Sequence, residues 1–308
     1  TVMENDGLTV MNVREHSRRA TIQFTGKPEK HVKLAFAVTS PVEGDPVAEA
    51  NNKLSSARAK GFESFRKSHA QYWESIWHRS LMDYGDDYLN NLWYLTMYYS
   101  HSSQGGKYPG RFNNGLWGWN HDVQQWNFYF HWNQQQLYWP LNAAGFHELV
   151  SPYLDYRFNS LRFAKKSALG IFKADGAFIA DVTNRRGYNR IDLIDNHTPV
   201  AEIALEFWQY EFTSEKDFLT NKALPFILEA ARFFESLLEK EGDGLYHARG
   251  GTGYEGTIML RDALTELVYV RTLFATALQA LEITGLEVPE AARWKFLQDH
   301  LAPIPVVK

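Results

Sequence analysis

Residues 108–140 read YPGRFNNGLWGWNHDVQQWNFYFHWNQQQLYWP. Five of the chain's ten tryptophans lie between Trp117 and Trp139. Among them stand Asn113, Asn114, Asn120, His121, Asp122, Asn127, His131, Asn133 and the run Gln134-Gln135-Gln136. A buried amide without a partner costs roughly 1–3 kcal/mol, so this many polar groups do not suit an ordinary core segment. A solvated loop has no use for so many indoles. Flat rings beside short amides and a carboxylate suit a sugar-binding cleft, where the C–H face of a pyranose stacks on an aromatic ring and its hydroxyls bond to Asn, Gln, Asp and His. A Trp-rich core helix with one wet face fits the same composition, because clefts too are mostly apolar with a few placed polar groups.

Outward from this stretch the chain reads almost wholly as helix. Tyr88 to Ser103 is one helix, ended by Gly105-Gly106 and Pro109-Gly110, and a second runs from near Trp126 to just before Pro140. Residues 142–150 and 153–168 read as a helical pair broken at Pro152. Residues 171–198 are loop-like, with one apolar run from Ala177 to Val182. Helices are expected over 199–212, 216–239, 261–284 and 289–300. A turn at Gly242-Asp243-Gly244 leads into a short strand, and a Gly-rich loop spans 249–256. Upstream, Val47 to Arg79 carries Ala57, Phe62, Phe65, His69, Tyr72, Trp73, Ile76 and Trp77 at helical spacings, which predicts one long amphipathic helix. Thr21–Phe24 and His31–Val38 read as strands around a Gly26-Lys27-Pro28 turn. Two or three strands do not make a stable sheet alone, so they look like the end of a β-domain.

Helices joined alternately by tight turns and long decorated loops predict a mainly α fold, an (α/α)6 toroid. About eight helices are legible where six hairpins need twelve. The chain is therefore expected to be incomplete at both ends. Its expected parts are the tail of an N-terminal β-sandwich (1–45), a helical linker (46–83) and a partial barrel (84–308).

At 308 residues the chain can bury a sizeable core. Its net charge of −4 and scattered Lys and Arg argue against nucleic acid as a partner. No run of eighteen apolar residues suggests a membrane span. It has no cysteine, which excludes disulfides, thiolate zinc sites and cysteine nucleophiles. His121, His131 and Asp122 match no tight ligand spacing, so no metal and no cofactor are expected. The chain starts at Thr1 with no signal peptide, consistent with a leader removed beforehand.

Four segments carry a family resemblance. Phe65–Ser80 (FRKSHAQYWESIWHRS), Pro109–Trp119 (PGRFNNGLWGW), Asn133–Pro140 (NQQQLYWP) and Phe207–Leu219 (FWQYEFTSEKDFL, followed by Ala230-Ala231-Arg232-Phe233-Phe234) resemble glycoside hydrolase family 95. These are the inverting α-L-fucosidases, a six-hairpin glycosidase-like family. The third segment is the most specific, because the family writes it Asn-x-Gln-Met-Asn-Tyr-Trp-Pro. The resemblance implies a β-sandwich, a helical linker, an (α/α)6 barrel and a C-terminal β-domain. It implies a Glu as general acid, and an Asn-x-Asn pair, helped by a distant Asp, that positions the attacking water. The second Asn falls on Asn133. The first falls on His131, a departure that puts fucosidase specificity in doubt, while a His can still orient or deprotonate water. The acid falls on Glu255 in Thr252-Gly253-Tyr254-Glu255-Gly256, whose flanks differ from the family's. The supporting Asp falls beyond Lys308.

Read as chemistry, Glu255 lies between Gly253 and Gly256 beside Tyr254, which can desolvate it and raise its pKa; a glutamate capping the helix that follows is the alternative. His131 and Asn133 face one cleft only where the backbone is irregular, as at a helix start. The sugar-binding candidates are Asn113, Trp117, Trp119, Asp122, Gln135 and His197. Gly115 and Gly118 leave Trp117 and Trp119 free to act as stacking platforms, and Asp122 serves equally well as a loop cap. Lys and Arg do not cluster near the cleft, which argues against phosphorolysis. The expected function is an inverting exo-glycosidase that removes a terminal sugar, α-L-fucose or α-L-galactose, from an oligosaccharide or polysaccharide in the periplasm or outside the cell. The alternative is a non-catalytic carbohydrate-binding or structural relative.

Overall fold

The structure is a computed structural model, and it describes residues 8–16, 19–26, 35–39, 44–111, 128–190, 196–211, 217–252 and 259–306. The chain divides into two compact units, Thr1–Leu81 and Met82–Lys308.

In the first unit, β1 (Leu8–His16) and β2 (Arg19–Gly26) form an antiparallel hairpin with a bulge between Val10 and Asn12. The strand expected from His31 lies partly outside the described residues; Phe36 makes only an isolated bridge. The long helix expected from Val47 to Arg79 is two helices, α1 (Pro46–Lys60) and α2 (Phe62–Arg79). The break is Gly61, at φ +74, a left-handed setting that a side chain strongly disfavours. Asp45 starts α1 by accepting from the amides of Val47 and Ala48.

The second unit is a stack of helices: α3 (Asp87–Ser103), the short α4 (His131–Gln135) and α5 (Trp139–Ala143), α6 (His147–Ser167), α7 (Thr198–Glu211), α8 (Leu224–Ser236), α9 (Leu264–Thr284) and α10 (Ala291–His300). Three helices, α7, α8 and α9, pack on one another and make the centre. They meet through small fully buried residues, Ala201, Ala204, Ala230, Ala231, Ala277 and Ala280, which let the backbones approach. Phe207, Phe226, Phe233 and Phe274 fill the remaining space, with Phe207 stacked on Phe226 at 4.6 Å.

Pro152 does not break the chain as expected: α6 runs through it from His147 to Ser167. Proline at the sixth position lacks the amide that would bond to the Glu148 carbonyl, and the buried face of α6, with Leu149, Val150, Tyr153 and Leu154, carries the helix through it. Helix α6 ends in a π turn over Ala168–Phe172, and Lys173 closes it at φ 56. Gly176 then lies against α8 so closely that a Cβ there would meet the Glu229 carbonyl at 2.3 Å, and the next amide, Ala177, donates to that carbonyl.

Long and short connections alternate in this unit. Residues 104–128, 173–197 and 237–263 link into α4, α7 and α9, whereas 144–146 and 285–290 are short turns. The long segments carry two small sheets. β3 (Tyr129–Phe130) pairs with β4 (Val182–Thr183), and β5 (Leu238–Lys240), β6 (Tyr246–Gly251) and β7 (Leu260–Arg261) form a three-stranded sheet. Among the described residues no helix is long and apolar enough to cross a membrane.

Candidate active site

The first turns of α4, α7 and α9 converge where the long segments enter them. His131 opens α4, and Phe130, in extended conformation, precedes it, so the chain enters that short helix from a strand. The β3–β4 pairing sets Phe130 opposite Val182, which brings Asp181 beside His131. Two bonds join them: the His131 amide donates to the Asp181 carbonyl at 2.9 Å, and His131 Nδ1 lies 3.0 Å from Asp181 Oδ1. Asn196 Nδ2 donates to the same Oδ1 at 2.8 Å. The Asn196 Oδ1 in turn accepts from the Thr198 amide and so fixes the start of α7.

On the other side of the imidazole, His131 Nε2 lies 3.9 Å from Glu202 Oε2. Glu202 is held by the Thr198 hydroxyl at 2.7 Å, by the Tyr269 side chain, and by the amide nitrogen of Gln135 at 2.8 Å. Burial opposes charge on His131, but its hydrogen bond to Asp181 and the nearby Glu202 outweigh it and raise the pKa above the ordinary range. The result is an imidazole whose charged form is favoured by the two carboxylates beside it.

A second, deeper layer supports this one. Arg157 of α6 is fully buried and lies over the rings of Tyr153 and Tyr156. It donates to Gln134 Oε1 at 2.6 Å and to the Thr183 hydroxyl at 3.2 Å. Gln134 also donates to the Gly110 carbonyl, and the Gly110 amide donates to Tyr138 Oη. The start of the Trp-rich stretch is thereby tied to α4 and α6.

Beneath α7, the Tyr153 hydroxyl donates to Glu206 at 2.5 Å; burial pushes the Glu206 carboxyl up to about 8. Burial likewise pushes Glu266, on the first turn of α9, up to about 7. Glu266 presses on Gly251, where a Cβ would meet its Cγ at 2.3 Å, so only glycine fits in that strand. Both acids hold a proton in the folded state that the unfolded chain has released above the ordinary carboxylate range. Stability is therefore expected to fall as pH rises from about 5 through 8. For Glu206 the span from 4.5 to about 8 corresponds to at most about 5 kcal/mol. Glu206→Gln should leave the thermal midpoint nearly unchanged at pH 5 and raise it at pH 9; melting curves of both proteins at the two values check this.

Of the residues expected to act, His131 and Asn133 lie in the first turn of α4. Asn133 is partly buried. Gln135 is fully buried, its amide spent on Glu202 and the His131 carbonyl, so it positions the acid from behind. His197 is also buried, edge-on to Phe172, Phe178 and Phe233, with Nδ1 3.9 Å from Glu266 Oε1. Glu255, Asn113, Trp117, Trp119 and Asp122 lie outside the described residues. Both feet of the Glu255 segment are anchored. The Thr265 hydroxyl donates to the Thr252 carbonyl at 3.0 Å, and Asp262 binds the Ala248 amide at 3.0 Å and His247 Nδ1 at 2.6 Å. Sequence reasoning missed Asp181, Asn196 and Glu202. The one signal for Asp181 was a carboxylate closing the apolar run Ala177-Phe178-Ile179-Ala180. Among the described residues no group of three or more His, Asp or Glu is arranged to hold a metal ion.

The model of the glycosyl hydrolase family 95 catalytic domain matches residues 67–308. Kojibiose hydrolases of Flavobacterium johnsoniae and Mucilaginibacter mallensis are 24% and 25% identical over 73% and 75% of this chain, and over 33% and 34% of their own lengths. A kojibiose phosphorylase of Halothermothrix orenii is 22% identical over 72% of this chain and 30% of its own. The chain thus spans about a third of the length of the curated relatives it matches. A solved structure described as "Putative kojibiose phosphorylase from human microbiome" superposes with a TM-score of 0.67 at 15% identity, over 96% of this chain and 49% of that one. The fold is mainly helical and of the six-hairpin glycosidase-like kind.

Proposed function

Because the chain belongs to glycosyl hydrolase family 95, we propose that it forms part of an inverting exo-glycosidase that transfers a terminal sugar to water. The observation that carries this reading is the excess negative charge around His131, with Asp181 and Glu202 on either side of it. Relatives named for hydrolysis and for phosphorolysis of kojibiose are about equally similar to the chain. Phosphate is a dianion near neutral pH, and two carboxylates at the nucleophile's position repel it, whereas water is indifferent to them. The site therefore favours hydrolysis.

In this reading Glu255 protonates the leaving oxygen, and His131 and Asn133 hold the water site. Asn113, Trp117, Trp119 and Asp122 bind the sugar, while Gln135 and His197 support the site from behind. For substrate, the names of the relatives favour disaccharides such as kojibiose and nigerose. The family resemblance adds terminal α-L-fucose and α-L-galactose. A periplasmic or extracellular setting, and a division into a β-domain tail (1–45), a linker (46–83) and a partial barrel (84–308), belong to the same proposal.

The test incubates the enzyme with kojibiose, nigerose and fucosylated and galactosylated oligosaccharides, with and without inorganic phosphate. NMR follows the anomer first formed. Phosphate-independent release of a sugar with inverted configuration is expected. A sugar phosphate formed only when phosphate is present would replace hydrolysis by phosphorolysis, and binding without release would leave a carbohydrate-binding relative.

A further inference from the structure

We propose that Asp181 is a substrate-binding residue, accepting a hydrogen bond at Oδ2 from one hydroxyl of the terminal sugar; the proposal rests on the hydrolytic reading above. The two oxygens of this carboxylate have different surroundings. Oδ1 faces the protein and is taken up by two donors, His131 Nδ1 at 3.0 Å and Asn196 Nδ2 at 2.8 Å. Oδ2 has no donor among the described residues. An asparagine at 181 would serve both donors through its carbonyl oxygen, so their geometry does not by itself require an acid. The acid adds a second oxygen that accepts hydrogen bonds and donates none.

That oxygen is within a ligand's reach. The Asp181 side chain is 31% exposed, against 18% for His131 and 15% for Glu202. Glu202 is closed in, because Thr198, Gln135 and Tyr269 take up three of its four lone-pair directions. The backbone around Asp181 is fixed as well. Its carbonyl accepts from the His131 amide, the Ala180 amide donates to the Asn189 side chain, and the Val182 carbonyl accepts from the Arg190 amide. A carboxylate held in this way loses little freedom when a hydroxyl docks on its open oxygen, and such preorganisation favours selective binding.

The place of Asp181 also decides which ring it meets. In the hydrolytic reading His131 lies at the water site, and in an inverting reaction the water stands on the face of the ring away from the leaving group. A side chain bonded to His131 therefore meets the ring under attack, not the sugar that departs. The ligand class is a pyranose with a free hydroxyl at one particular carbon. A ring without that hydroxyl covers the carboxylate oxygen and leaves it unpaired, the circumstance in which a site discriminates most strongly. His131 and Asn196 are positioning residues for this contact, acting through Oδ1.

The experiment is a cycle between protein and sugar. Wild type and Asp181→Asn are assayed on whichever of kojibiose, nigerose and the fucosylated and galactosylated oligosaccharides wild type hydrolyses best, and on analogues that each lack one hydroxyl of the terminal ring. Asp181→Ala goes through the same cycle, so the result does not hang on one variant. On one analogue wild type is expected to lose roughly 10- to 150-fold in kcat/KM, the range for a hydrogen bond to a charged group. Asp181→Asn should lose a similar factor on the parent sugar and, within about threefold, nothing further on that analogue. On the other analogues its loss should equal its loss on the parent. A role confined to holding His131, or to activating water, gives the same loss on every analogue, and that result overturns the assignment. Retention of wild-type kcat/KM by Asp181→Asn on the parent, within about twofold, also overturns it. Wild type indifferent to every deletion overturns it whether or not the variants fold. Wild type that hydrolyses none of the sugars overturns the hydrolytic reading and this proposal together.

Discussion

Glu255→Gln is expected to slow release of sugar from a disaccharide by at least about 1000-fold, at the upper part of the range for losing a general acid. The reason lies in the leaving group. A sugar alkoxide is strongly basic, and expelling it unprotonated into a cleft of net negative charge is unfavourable. Glutamine keeps the size and a hydrogen-bond donor of the carboxylic acid but cannot transfer a proton to the departing oxygen. Fluoride needs far less protonation to leave. The same variant should therefore keep hydrolysis of the glycosyl fluoride within about tenfold of wild type, a small change on the scale of catalytic effects. Initial rates on the two substrates form the measurement. Equal losses on both would mean that Glu255 acts on binding or on the nucleophile; no loss on either would make it the helix cap that its loop also permits. The fluoride separates protonation of the leaving group from activation of the water, since losing the latter should damage both substrates.

Arg157→Ala is expected to lower the thermal midpoint by roughly 10 °C or more, from a loss of about 4 kcal/mol in a unit this large. The guanidinium is completely buried, and its partners are neutral: Gln134, Thr183 and the faces of two tyrosines. Truncation leaves a cavity the size of the side chain and removes the donor on which the Gln134 oxygen depends. Arg157→Met restores most of the volume without the donors and should recover about half of the loss. Thermal unfolding of the three proteins checks the order. An Ala variant within 2 °C of wild type would mean that water replaces the guanidinium at little cost. Gln134 adjoins Asn133 and ties the start of the Trp-rich stretch to α6 through this arginine, so activity of the Ala variant should fall at temperatures where it is still folded.

The helices were legible because each buries one face, and burial writes a period into the sequence. The alternation of short turns with long segments followed from the turn residues, and it led to the toroid. The breaks were harder. Gly61 divides a helix that periodicity alone continues, because its left-handed backbone is a local setting invisible in the apolar pattern. Pro152 suggested a break and made none, because one lost backbone bond weighs less than the buried face on either side of it, Leu149, Val150, Tyr153 and Leu154. The site was legible only where a motif named it. His131 and Asn133 belong to one. Asp181, Asn196 and Glu202 lie 50, 65 and 71 positions from His131 in the numbering and meet it only through a two-residue strand pairing and a helix cap. No spacing rule reaches across such a distance.

The double attachment of His131 to Asp181, main chain to main chain and side chain to side chain, also makes the two positions interdependent. Asn at position 131 alone would take one donor from Asp181 Oδ1 and leave the acid less firmly oriented. Loss of Asp181 alone would leave the imidazole beside Glu202 with its hydrogen-bond partner gone. The two positions form one coupled unit, so the effects of substitutions at 131 and at 181 are expected not to add.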